Sequence, residues 1–166
     1  GAVWQAVREG TDEALQRFIA MREKEGARLR EDILSRRDMI LKAVERVEER
    51  SPQTVREHME KVEARMRDLL STVTVDEQRL LTEAALFADK IAVAEETVRL
   101  RSHLEQLEHL MDSNEPVGRK LDFLVQEINR EVNTIGSKCC GSEMTNLVIA
   151  AKSEIEKIRE QIQNLE

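Results

Sequence analysis

Carboxylate, imidazole and guanidinium groups recur at helical spacing in the second half of this chain. Glu96, Arg99 and His103 stand three and four residues apart. Arg119 and Lys120 precede Asp122, Glu127, Arg130 and Glu131, and Glu83 lies one segment earlier. Carboxylates on packed helices recruit Mg²⁺ or Mn²⁺, which prefer oxygen ligands. Such an ion can polarise a phosphodiester, generate hydroxide or steady a leaving oxygen. Arginine and lysine hold phosphate and offset developing charge. Asp89, Glu96 and His103 repeat every seven residues and would share one face of a continuous helix. Successive members are then roughly 10 Å apart at 1.5 Å per residue, so one ion would need ligands from another helix. A solvated stripe with Glu95–Arg99 or Arg99–His103 contacts fits the same residues. The chain has no Walker loop, dinucleotide fingerprint, H-E-x-x-H or nucleophile elbow.

The element that must position most of these groups is the stretch from Gly118 to Gly141. Leu121, Leu124, Val125, Ile128, Val132 and Ile135 form an apolar stripe at helical spacing. One flank carries Asp122, Gln126, Asn129 and Asn133. The other carries Lys120, Phe123, Glu127, Arg130, Glu131, Thr134 and Lys138. Asn and Thr are poor helix formers, because their side chains compete with the backbone for hydrogen bonds. Their presence points either to a functional surface or to a polar seam between packed helices.

The remaining elements are also helical. Trp4 to Glu9 reads as helix, with Gly10-Thr11-Asp12 as a stop and new N-cap. A helix from about Asp12 to Arg50 follows, using Leu15, Phe18, Leu29, Ile33, Ile40, Val44 and Val47. Gly26 inside it suggests close packing or a kink, since glycine costs roughly 1 kcal/mol there against alanine. Ser51-Pro52 predicts a break and a helical hairpin. Val55, Met59, Val62, Met66 and Leu69 form a heptad seam, with His58 off it and expected to be exposed. Thr74-Val75-Asp76 ends that unit. The segment from Asp76 to Met111 is helical with an expected interruption at Ile91-Ala92-Val93, and residues 112–116 form a loop. Ser142-Glu143 opens a last helix with a seam of Val148, Ala151, Ile155, Ile158, Ile162 and Leu165. No stretch reads as a strand. The expectation is an all-α fold, residues 1–166 as one helical domain of long antiparallel helices packed through heptad-like seams as hairpins or a bundle.

The quoted segments resemble the YicC family of bacterial endoribonucleases. The resemblance rests on R-K-L-D-F-L-x-Q-E-x-N-R-E-x-N-T-I-x-S-K and on K-x-E-I-E-K-I-R-E-Q-I-Q-N-L-E at the end of the chain. M-R-E-K-E-G-A-R-L-R-E-D-I-L-S-R and T-E-A-A-L-F-A-D-K-I-A-V-A-E-E-T-V-R-L-R-S-H extend it. Ala92 departs from the family pattern, which usually has an acidic residue there. The resemblance implies metal-dependent hydrolysis of RNA with Mn²⁺ or Mg²⁺. It assigns catalytic roles to Glu96, His103, Glu127 and Glu131, RNA contacts to Arg99, Arg119, Lys120 and Arg130, and metal ligation to Glu83, Asp122 and Glu127. It also implies that the chain is the C-terminal part of a longer protein that forms a homo-oligomer, in the manner of a ring.

Composition bounds these readings. Lys and Arg number 26 and Asp and Glu 33, for a net charge of -7, with the acid excess concentrated in residues 51–115. Bulk charge therefore argues against non-specific nucleic-acid binding, but a local basic patch remains open. Aromatics are 2% of the chain. That scarcity argues against base stacking as the main grip on RNA, leaving backbone and shape. Arg28, Arg30, Arg36 and Arg37 offer either a basic strip or a solvated helix face. Cys139 and Cys140 are adjacent, which fits free thiols in a reducing cytoplasm better than a disulfide or zinc site. No apolar run is long enough to span a bilayer, and the acidic balance disfavours a membrane-surface helix. The rival to an enzyme is a helical assembly module, in which the amides of the Gly118–Gly141 stretch would be interhelical contacts.

Overall fold

The computed structural model describes residues 1–69, 76–113 and 116–163. Five helices account for nearly all of them: α1 (Ala2–Leu69), α2 (Glu77–Lys90), α3 (Ala94–Met111), α4 (Gly118–Lys138) and α5 (Ser142–Gln163). No strand occurs among the described residues. The all-α expectation is met. The Leu69 side chain, Thr74, Val75, Asn114, Glu115, Asn164 and Leu165 lie outside the described residues.

α1 is one helix of 68 residues, about 100 Å long at 1.5 Å per residue. Neither expected break occurs. At the first, the Thr11 hydroxyl donates to the Val7 carbonyl at 2.8 Å, so it is used inside the helix instead of capping a new one. At the second, Pro52 sits inside the helix. It lacks the N–H that would reach the Glu48 carbonyl. Contacts on both sides hold the helix across this gap: Arg50 binds Glu57 and, on α5, Glu143, both at 2.9 Å. Buried Val47 anchors the preceding turn. Packing therefore overrides the local signal, and no hairpin forms at Ser51-Pro52. Gly26 is not explained by packing, because an added Cβ would meet nothing within 4 Å.

The first 28 residues of the chain are exposed throughout. Their stripe of Val3, Trp4, Val7, Leu15, Phe18, Ile19 and Met21 covers no other element. From Leu29 onward α1 joins a common core. Ile33, Ile40, Val44 and Val47 pack with Leu100, Leu104 and Leu107 of α3, with the whole apolar stripe of α4, and with the seam from Val148 to Ile162 on α5. Each such side chain contributes about 1.5–3 kcal/mol on burial. Ion pairs fix the helix order. Arg30–Asp112, Arg37–Glu108 and Arg101–Glu48 run α3 antiparallel to α1. Arg36–Glu154 and Arg50–Glu143 do the same for α5. Arg30, Arg36 and Arg37 are thus interhelical ties, not a basic strip.

Beyond Pro52, half-buried positions of α1 receive α2, which Asp76 caps by accepting from the Gln78 amide at 3.0 Å. His58, expected to be exposed, is half-buried. Its ring stacks on Phe87 of α2 with centroids 3.7 Å apart.

The expected interruption at Ile91–Val93 is present and separates α2 from α3. It also removes Asp89 from the face shared by Glu96 and His103. α4 and α5 join through Cys139–Gly141, where Gly141 has φ +96°, a left-handed conformation suited to glycine. Close by, a Cβ at Gly136 would lie 2.9 Å from Val148 Cγ1, so glycine permits the close approach of α4 to α5. Both cysteines are free thiols. Burial, with Cys140 beside it, pushes the Cys139 thiol up to about 11.

Candidate functional site

α3 and α4 pack antiparallel, and the charged flank of α4 lies along α3. The first rung is Glu96 with Lys138. Glu96 is 5% exposed, and Lys138 Nζ donates to both its carboxylate oxygens at 3.0 Å. The same ammonium donates to the Ala92 carbonyl at 2.8 Å, supplying a partner at the helix break. Burial raises the Glu96 pKa, but the Lys138 bond, the residue's own backbone and the charges of Lys138 and Arg99 outweigh it. The carboxyl is held below its ordinary range.

The second rung is Arg99 with Glu131. Arg99 Nε donates to Glu131 Oε1 at 2.8 Å, while its other nitrogens lie 3.4 Å from Glu96 and 3.5 Å from Glu95. Glu131 is 6% exposed. Glu96 and Glu131, expected to be catalytic, are therefore buried and charge-paired. Their geometry suits them to holding Lys138 and Arg99 in place.

Counting one turn on from Arg99–Glu131 in the same antiparallel register pairs position 103 with position 127. Glu127 is half-buried and lies 3.9 Å from exposed Arg130. His103 Nδ1 is buried and finds no hydrogen-bond partner among the described residues. The ladder then opens into a groove of about 540 Å³ lined by His103, Gln106, His109, Leu110, Arg119, Lys120, Phe123 and Leu124.

The opposite flank of α4 is different. Asp122 accepts from Gln126 at 3.0 Å on the same helix. Asn129 and Asn133 are exposed, so these amides are not a polar seam between helices. Asp122 and Glu127 are five residues apart, about 140° around the helix. Glu83 is exposed on α2, which packs against α1. Among the described residues, no group of three or more His, Cys, Asp or Glu side chains could hold a metal ion. Mg²⁺ needs about six oxygen ligands, so Glu83, Asp122 and Glu127 do not make a ligand set by themselves.

A sequence model of the family described as "Endoribonuclease YicC-like, C-terminal" matches residues 47–166. The chain belongs to the YicC-like endoribonuclease family. The matched span contains both α3 and α4. Two curated YicC relatives carry the name "Probable endoribonuclease YicC". One, from Clostridioides difficile, is 44% identical over 165 residues, which cover 99% of this chain and 56% of the relative. The other, from Haemophilus influenzae, is 38% identical over 165 residues, covering 99% and 57%. The chain thus spans little more than half the length of the YicC relatives it matches.

Sequence reasoning grouped Lys138 and Phe123 with the charged flank but gave neither a role, and it passed over Gln106 and His109. The available signal was spacing. Phe123 sits three residues after Lys120 and four before Glu127, on the flank that faces α3. At Ala92, where the resemblance implied an acidic residue in relatives, the group in use is the backbone carbonyl.

Proposed function

We propose that this chain is the helical part of an RNA-cleaving enzyme and that the α3–α4 face engages the RNA backbone. One observation carries this reading. In a chain of net charge -7, the lining of the α3–α4 groove includes His103, His109, Arg119 and Lys120 and no described carboxylate. The Arg119 guanidinium in that lining attracts phosphate whatever the net charge of the molecule, and the two imidazoles offer hydrogen bonds beside it. The names of the YicC relatives, probable endoribonucleases, support the same class of reaction.

Arg119, Lys120 and Arg130 contact phosphate, and Arg99 is held ready at the edge of the ladder. His103 and Glu127, on facing positions, move the protons. One removes a proton from the attacking oxygen, and the other gives one to the leaving oxygen. Glu96 and Glu131 position Lys138 and Arg99. Mn²⁺ or Mg²⁺ belongs to this reading through the family. Mg²⁺ is commonly held by one or two carboxylates together with substrate phosphates. No step is assigned to the ion, because Glu83, Asp122 and Glu127 do not converge.

Self-association is part of the proposal, supported by the exposed apolar stripe between Val3 and Met21. So is a cytoplasmic location, where an RNA substrate is found. Among the described residues no helix is long and apolar enough to cross a membrane.

The test is cleavage of a structured RNA with Mn²⁺, with Mg²⁺ and with chelator, beside Glu127→Gln and His103→Ala. Each substitution is expected to lower the rate by about 10²–10⁴-fold, the usual size of a general acid–base contribution. Cleavage that survives both substitutions would overturn the site. Its persistence in chelator would remove the ion from the proposal.

A further inference from the structure

Phe123 is a large aromatic residue left 63% exposed on a helix whose apolar stripe is otherwise buried. The surface around it is concave. Phe123 lines the groove between α3 and α4, with Leu124 beside it and Gln106 and His109 across from it. Arg119, one turn earlier on α4, lines the same groove. The groove's volume, about 540 Å³, falls within the range of small-ligand sites, roughly 300–1,000 Å³. A flat apolar ring bordered by a guanidinium matches a nucleotide, which offers a π-face and a phosphate together.

We infer that the α3–α4 groove is a base-stacking subsite, in which Phe123 receives one unpaired nucleobase of RNA and Arg119 takes an adjoining phosphate. This rests on the RNA reading above and narrows it to a substrate class. Bases inside a duplex are already stacked and cannot present a face, so the site selects single-stranded, bulged or looped RNA. Stacking accepts any base, so the preference is for an unpaired position and not for a sequence. The scarcity of aromatics elsewhere is consistent with one stacked base per groove, with backbone contacts providing the rest of the grip.

The test uses the full chain and a single-stranded RNA carrying 2-aminopurine, whose fluorescence falls when it stacks on an aromatic ring. Binding is followed by titration for the native chain, Phe123→Ala, Phe123→Trp and Arg119→Ala. The native chain is expected to bind and quench. Phe123→Ala should weaken binding about 5- to 100-fold, as loss of one stacked base does, and abolish the protein-induced quench. Phe123→Trp should retain both. Arg119→Ala should weaken binding and flatten its salt dependence, but keep the quench at saturation. Circular dichroism checks that Phe123→Ala leaves the fold intact, as its exposure predicts. If Phe123→Ala binds and quenches like the native chain, the base subsite is wrong and the RNA reading stands. If the native chain does not bind the RNA at all, both fall together.

Discussion

Lys138→Met isolates what holds the charged ladder together. Lys138 gives the buried Glu96 carboxylate two hydrogen bonds of 3.0 Å, and Arg99 is the other cation near it, at 3.4 Å. Removing one partner of a buried pair generally costs 3–5 kcal/mol, because a charge is left uncompensated. Here Arg99 remains, and Lys138 is itself about one third exposed, so a loss of about 2 kcal/mol is expected at pH 7. With a urea slope of about 2 kcal/mol/M, the midpoint should fall by about 1 M. The loss should depend on pH in a stated direction. The folded-state pKa of Glu96 is below its unfolded value, so ionised Glu96 contributes stability above the unfolded pKa. That contribution disappears as pH falls through the folded pKa. Lys138→Met removes its main source, so the gap between variant and native chain should be full at pH 7 and close as pH drops below the ordinary glutamate range near 4.5. Adding Glu96→Gln should recover more than half of the loss, since the stranded charge is then absent. Urea unfolding followed at 222 nm reads all three. A midpoint shift under about 0.3 M at pH 7, or an equal loss at both ends of the pH range, would refute this account of the ladder.

Two further outcomes follow from the helix contacts. Pro52→Ala should stabilise the chain by about 1–3 kcal/mol and raise its melting temperature, because it restores a helical N–H and removes a clash without disturbing a buried side chain. Gly136→Ala should instead destabilise it by about 1–2 kcal/mol in thermal unfolding, since the new Cβ meets buried Val148 Cγ1 at 2.9 Å, and Val148→Ala should relieve part of that loss.

Much of the bundle was legible because apolar periodicity survives folding. The six stripe residues of α4 and the α5 seam as far as Ile162 are all buried. The break at Ile91–Val93 was visible as a cluster of β-branched residues. α1 was misread because Gly10-Thr11-Asp12 and Ser51-Pro52 are local signals. A hydroxyl bonding back one turn cancels the first, and Arg50 tied to two carboxylates cancels the second. The charged flank of α4 was legible as a group, but burial within it was not. Glu127 and Glu131 are one turn apart and chemically identical in sequence. Only the position of Arg99 on α3 buries one in an ion pair and leaves the other beside the groove. Lys138 could not be assigned because its partners, the Glu96 carboxylate and the Ala92 carbonyl, are more than forty residues away in the chain.

The exposed beginning of α1 also constrains how the chain can change in length. A helix is a screw, so each residue added to residues 1–28 turns everything before it by about 100° and moves it by 1.5 Å. Under the self-association proposed above, one extra residue would swing the apolar stripe away from its partner surface. Seven would restore the facing to within about 20°, while extending the reach by roughly 10 Å. Self-association through this stripe would therefore tolerate insertions and deletions in sevens and reject them singly, a periodic rule that the exposed, unpacked helix would not impose by itself.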